Sequence, residues 1–396
     1  MLAPPRAPTE LTLLPEAPAS KPPRRRGRLG WRRARRVALA AAALCLIPAL
    51  VSYARALAQP SNSSLGIRTV EWMRDNGARG LITQVESLYY SLTAPATGGP
   101  ALRALPKLPG AVSASGTKRP PKRYYRPRRI RPLIHPALAG EGVWHSTFAA
   151  GGSRPPVLVT SFRPDPAYPG LVAGVAWIDH ARTSTWLYPG RLEPGVPLAS
   201  RGPAEVPPRL RSRLVATFNS GFKLSDSGGG FAEGGHTYAP MKGGVATLLR
   251  YRDGRTDIVA WSGGPDVGQG IVFARQNLPL IVNHGQANPN LSNGPEWGAT
   301  LGNAVRVWRS AVGVDRRRDL IYAAANDQTV GSLAQIMIHA GAVRAMELDI
   351  NSYWTSFITY GERGARGAAN LLSSMARSPE RYLTPDDRDF FAVYVR

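Results

Sequence analysis

Two acids one residue apart, Glu347 and Asp349 in the run Met346-Glu347-Leu348-Asp349-Ile350-Asn351-Ser352, are the side chains best spaced to do chemistry. On a strand, alternate side chains share a face, so both carboxylates are expected together, roughly 6.5–7 Å apart along the backbone. Acids at the end of a core strand are costly unless paired, hydrogen-bonded or used. Carboxylate pairs near this separation serve glycosidic chemistry, with side-chain rotamers leaving retaining and inverting geometries both open. A second group is Arg306-Val307-Trp308-Arg309-Ser310-Ala311-Val312-Gly313. Strand alternation points Arg309 away from Trp308, and its planar fork suits a phosphate or a carboxylate; a surface salt bridge is the plainer use. A third is the apolar run 215–218 delivering Asn219-Ser220-Gly221-Phe222. It is built either to hold a polar side chain and backbone N–H groups beside a ligand or to make a simple β-turn.

Between these groups lies the glycine-rich passage 225–236, which reads as a mobile lid bringing Glu233, His236 and Lys242 to a substrate, or as a flexible connection. Walker spacing is absent from it, which removes a nucleotide-binding reading. A lone histidine such as His236 is more often an ordinary surface residue than a catalyst. No His/Asp/Glu spacing compels a metal, no Ser-His-Asp set stands out, and neither metal nor cofactor is expected.

The elements that must position these residues begin near residue 141. Short β-branched or aromatic runs at 157–162, 171–178, 213–219, 244–251, 256–261, 270–274, 278–282 and 305–312 alternate with Gly and Pro turns, the pattern of strands. Farther on the spacing predicts strand 319–325, helix 332–342 and strand 345–349, with Leu333, Ile336, Met337 and Ala340 on the buried face of the helix. An α+β domain with a large mixed sheet and packed helices over 141–396 is the expectation.

Upstream, the organisation is read from apolar runs and charge. The chain has 396 residues with 50 Lys plus Arg against 26 Asp plus Glu, and a single Cys, which excludes an internal disulfide and multi-cysteine zinc sites. Residues 1–36 hold ten basic and two acidic residues (+8), 37–93 four and three (+1), and 94–140 ten and none (+10), leaving +5 of the total +24 for 141–396. The folded part is thus nearly balanced, and nucleic-acid binding through a basic surface is disfavoured. After the basic leader 1–36, the uncharged apolar run 37–54 is just long enough for a membrane span, and the positive-inside rule then places the remainder outside the cytoplasm. The small residues of Ala56-Leu57-Ala58 also fit signal-peptide cleavage and secretion. Residues 62–92 are expected to form a helical pair, capped by Ser64 and broken at Asn76-Gly77, acting as a stalk or a packing hairpin. The Pro/Arg-rich stretch 94–140 reads as a semi-extended linker, either solvated or held on an anionic lipid or wall polymer.

In order and context these groups resemble the phosphodiester glycosidase family, of the N-acetylglucosamine-1-phosphodiester alpha-N-acetylglucosaminidase type. Family members show a strand ending in Asn-Gly-Gly-Phe-Phe, then Arg-Thr-Ala-x-Gly, then a helix leading to Asn-Leu-Asp-Gly-Gly-Gly-Ser. The counterparts here are Asn219-Ser220-Gly221-Phe222, Arg309-Ser310-Ala311-Val312-Gly313 and Glu347-Leu348-Asp349-Ile350-Asn351-Ser352, a resemblance covering roughly 210–360. Glu347 stands where the family has asparagine, and Ile350 and Asn351 replace glycines, which reshapes or narrows the pocket.

The resemblance implies hydrolysis at the anomeric carbon of a sugar joined through phosphate. A phosphate ester leaves as a stable anion, so holding it and stabilising an oxocarbenium-like centre matter more than strong acid assistance. By this resemblance Arg309 takes the phosphate, Asp349 acts as base or charge stabiliser, Glu347 is a second acid, and Asn219, Ser220, Gly221, His236 and Asn351 contact substrate. The expected function is an exported, membrane-tethered hydrolase of a sugar-phosphate linkage in a cell-envelope glycan or glycolipid. The alternative is a non-catalytic envelope module binding an anionic glycan.

Overall fold

The computed structural model describes residues 27–112, 125–148, 155–298 and 306–396. The leader up to residue 26 and parts of the basic linker, 113–124, lie outside them.

Two compact units are present, one ending at Ala58 and one spanning Gln59–Arg396. In the first, helix α1 (Gly27–Ala58) contains the run Trp31–Ala58, in which an 18-residue window has mean hydropathy 2.2, long and apolar enough by length and composition to cross a membrane.

The second unit is α+β, as expected. Its strands form one eight-stranded and two five-stranded sheets. Every described ladder is antiparallel, so the expected mixed sheet is corrected. Hairpins such as Val307–Val314 with Leu320–Gln328 join through short turns, and strands of like direction are separated by an antiparallel one and joined by longer crossovers. One such crossover positions the site. Strands Leu320–Gln328 and Arg344–Glu347 flank Val307–Val314 on either side, both antiparallel to it, and helix Val330–His339 carries the chain between them. The Thr329 side chain accepts from Ser332 N–H while Ser332 Oγ reaches back to Thr329 N–H, a capping box that fixes the helix start.

Small residues on that sheet face, Ala311, Ala323, Ala325 and Ala345, let Leu333 and Met337 pack close. The opposite face joins the five-stranded sheets, where Phe218 stacks on Phe391 at 5.1 Å and meets Tyr322 at 5.6 Å. These aromatic contacts lock the strand ending in Asn219 against the strand bearing Tyr322.

The helical pair packs on this unit. Helix α2 (Leu65–Met73), capped by Ser64, turns at Gly77, whose φ of +95° lies in the left-handed region glycine favours, into α3 (Arg79–Thr93). The described parts of 94–140 are irregular but attached. Ile130 is buried, Gly98 N–H donates to Ala167 O, and Trp144 Nε1 donates to Arg128 O.

Candidate active site

Asn219, the last residue of strand Leu214–Asn219, is buried and bonded on all sides. Its Nδ2 donates to Ser220 O and to Ser310 Oγ, and its Oδ1 accepts from Tyr322 OH at 2.9 Å and Ser356 N–H at 3.0 Å. Ser310 Oγ donates in turn to the Asp349 carbonyl at 2.7 Å, and Asp349 N–H donates to Ser220 O. The three sequence groups therefore meet in one hydrogen-bonded knot, with Asn219 as its pin rather than a free ligand contact. Replacing Asn219 by Ala orphans several buried partners, and each costs about 1–3 kcal/mol. Asn219→Ala is expected to lower unfolding free energy by about 3 kcal/mol in urea titration.

The two acids separate. Strand Arg344–Glu347 ends at Glu347, so the alternation expected to hold Glu347 and Asp349 on one face stops between them. Glu347 stays inside, fully buried, and accepts from Arg309 Nη1 at 2.6 Å. Arg309 is equally buried and also donates to Gln328 O. Burial pushes the Glu347 carboxyl up to about 7, against the pull of Arg309. Neither residue lines the pocket described next.

Asp349 does line it. The pocket lies among Phe222, Lys223, Asp349, Ile350, Asn351, Trp354 and Arg388 on the domain side, with Glu71 from α2, Arg74 and Asp75 from the turn between the helices and Tyr90 from α3. Arg388 Nη2 donates to Asp349 Oδ2 at 2.9 Å and to Gly221 O at 3.2 Å. Asn351 N–H donates to Asp349 Oδ1 at 2.9 Å. Burial raises the Asp349 pKa, opposed by Arg388 and by that N–H. Arg388 is itself buried, which disfavours its charge, but Asp349, Glu193 and Glu71 outweigh this and raise its pKa. Two buried polar atoms here meet no hydrogen-bond partner among the described residues, Arg388 Nε and Ser220 Oγ. Unsatisfied buried groups are costly, and they are tolerated where a ligand completes them.

Gly221 permits the close approach on which this depends. A Cβ there would lie 2.8 Å from Asn277 Cγ, and Asn277 both accepts from Phe222 N–H and donates to Glu347 O. Behind Asp349, Arg381 donates to Trp354 O and forks onto Asp386 at 2.7 and 3.0 Å. His236 and Glu233 sit on a hairpin in a different sheet, His236 exposed, and neither they nor Lys242 lines the pocket. Sequence spacing missed Arg388, Lys223, Trp354 and Glu71. The signal for the first was the dense charge of Asp386-Asp387-Arg388-Asp389 immediately before the apolar final strand.

Residues 212–349 match the phosphodiester glycosidase family. The resemblance carried by Asn219, Arg309 and Asp349 is thereby shown, and the match ends on the aspartate at the pocket. A family of phosphodiester glycosidases supports a hydrolase-like function. Among solved structures, the zebrafish N-acetylglucosamine-1-phosphodiester alpha-N-acetylglucosaminidase catalytic domain, auto-inhibited by pro-peptide, is similar at 15% identity over 64% of this chain and 87% of that one, with a TM-score of 0.42. A hypothetical protein from Synechocystis is similar at 14% identity over 61% of this chain and 62% of that one, with a TM-score of 0.38. No curated protein matches the chain.

The mouth of the pocket is held by ion pairs from the helical pair. Lys223 Nζ lies 2.6 Å from Glu71 Oε2 and 3.1 Å from Asp75 Oδ1, and Arg79 lies 2.7 Å from Asp226. Burial pushes the Glu71 carboxyl up, but Lys223 and Arg388 overcome it and hold it below its usual value, ionised. The segment before α2 is clamped as well. Ser61 and Ser63 donate to Asp387, and Arg377 Nη2 donates to Asn62 Oδ1 at 2.6 Å.

Proposed function

We propose that this chain is an exported, membrane-tethered hydrolase cleaving a sugar-phosphodiester linkage in a cell-envelope glycan or glycolipid. The observation that carries the reading is Asp349 in a pocket beside Arg388, at the end of the family-matching segment. The phosphate of the substrate takes the guanidinium of Arg388, whose Nε meets no partner among the described residues, and the ammonium of Lys223. Water attacks the anomeric carbon, the carbon–oxygen bond to phosphate breaks, and the phosphate monoester leaves with the bonding pair. Asp349 stabilises the positive charge developing on the sugar and takes the proton of the attacking water. Its raised pKa brings it closer to neutral pH, where a base is most effective. Arg309 and Glu347 act beneath, holding the strands from which Ser310 and Asp349 emerge.

Export and tethering rest on α1, with its arginine-rich flank assigned to the cytoplasm and the second unit outside. The basic stretch 94–140 is assigned contact with anionic lipid or wall polymer. The reading is tested with residues 59–396 and a panel of sugar-1-phosphate diesters, following free sugar. Binding without turnover would support the non-catalytic glycan module, a reading favoured by Ile350, which packs on Phe222 and Val307 where the family has glycine.

Glu71 occupies the lysine that the phosphate needs, so the helical pair gates the site. Glu71→Gln is expected to lower KM several-fold with little change in kcat. A fall in kcat instead would make Glu71 part of the chemistry.

A further inference from the structure

We infer a divalent metal site at the corner where the chain passes from the eight-stranded sheet to a five-stranded one. Strand Ala173–Ile178 belongs to the first, strand Thr183–Tyr188 to the second, and residues 179–182 make the passage. Pairing of Leu320 with Ile178 sets Asp319 beside Asp179 and His180. One ligand atom from each of these three residues lies within 4.8 Å of the others.

The donors are poorly explained as a simple ion pair. Asp179 and Asp319 are 0% and 1% exposed, a costly place for two adjacent carboxylates. Asp319 Oδ1 accepts from His180 N–H at 3.0 Å and lies 2.8 Å from His180 Nδ1. Its other oxygen, Oδ2, meets no hydrogen-bond partner among the described residues. Asp179 Oδ1 accepts from Ala181 N–H. Asp315, the nearest further acid, is turned to the backbone N–H groups of Arg317 and Asp319.

One imidazole nitrogen and two carboxylates fit a zinc-like first-row transition ion, with water as a fourth ligand. Tetrahedral donors at ~2.1 Å from an ion stand about 3.4 Å apart, so donors within 4.8 Å of one another close by about 1.4 Å at most on binding. Hard ions such as Ca2+ take six or more oxygens, whereas the side chains gathered here are one imidazole and two carboxylates. Ala325 pairs with Arg309 and Leu320 with Val314, so Asp319 stands six residues along the strand from the level of Arg309, roughly 20 Å at strand rise, and the ion braces the junction between sheets and takes no part at Asp349.

The test uses the full chain in detergent, without a histidine tag, stripped with chelator and titrated with Zn2+ by calorimetry and thermal unfolding. Wild type is expected to bind one equivalent and, at about 100 times the Kd, to gain about 5 °C in Tm. His180→Ala, which alters a side chain that is 42% exposed, and Asp319→Asn should each weaken binding at least tenfold. Absence of stoichiometric binding, undiminished binding in both variants, or an equal response to Ca2+ would each overturn the assignment.

Discussion

Arg309→Met is expected to destabilise the domain by about 3–5 kcal/mol, with no direct effect on substrate binding. The guanidinium is the partner of a fully buried carboxylate, at 2.6 Å, and also holds the Gln328 carbonyl. Removing it leaves Glu347 charged without compensation or forces it to take a proton. Methionine keeps most of the apolar volume, so the loss reports charge rather than a cavity. Equilibrium denaturation in urea at pH 8 and pH 5 separates the two states of Glu347. In wild type the carboxyl is raised to about 7 from an ordinary value near 4.5. A raised pKa means the folded state binds the proton more tightly. The stability this gives is fully present below about pH 4.5 and is lost as the pH rises through about 7. Glu347→Gln should flatten that slope, and the Arg309→Met defect should be smaller at pH 5 than at pH 8.

The second large effect concerns Arg388. Arg388→Met removes the guanidinium that touches Asp349 and Gly221 and whose buried Nε meets no hydrogen-bond partner among the described residues. Loss of one preorganised contact to a leaving phosphate typically costs a factor of about 10²–10³ in rate. The variant is expected to lose sugar release by that factor in kcat/KM. Arg388→Lys should recover little, because an ammonium cannot reproduce the fork. Asp349 would also titrate higher in the methionine variant, since the charge of Arg388 is the strongest influence opposing burial there. The pH–rate profile should therefore shift to higher pH along with the loss.

Much of the fold was legible in sequence because its elements are periodic or strongly apolar. Helix Val330–His339 shows Leu333, Ile336 and Met337 buried as the three- and four-residue steps require, offset slightly toward the N-terminus of the expected 332–342. The strand ending at Asn219 and the apolar run inside α1 were equally plain. Sheet direction was less so, because a strand-helix-strand pattern also arises when the two strands flank a third antiparallel to both.

The site was legible only where chemistry is local. Glu347 and Asp349 were paired by the two-residue repeat, but that repeat holds only while the strand lasts, and it lasts only to Glu347. One residue later the chain turns, and the two acids part, one to the interior with Arg309 and one to the pocket. Arg388, Lys223 and Glu71 were invisible for another reason. They come from the approach to the last strand, a loop and an N-terminal helix, and nothing in local spacing encodes their convergence on Asp349.

The pocket chemistry is tested most directly by comparing free-sugar release from sugar-1-phosphate diesters by residues 59–396 and by the Asp349→Asn variant. The variant keeps the size of the side chain and an oxygen for Asn351 N–H but loses the ion pair to Arg388, so a lowered Tm is expected and activity is compared below it, where circular dichroism shows the variant folded. Wild-type turnover that falls at least about a hundredfold in the variant is the predicted result, with diester binding retained. Turnover that survives the substitution in a folded variant would remove Asp349 from the chemistry and contradict the mechanism.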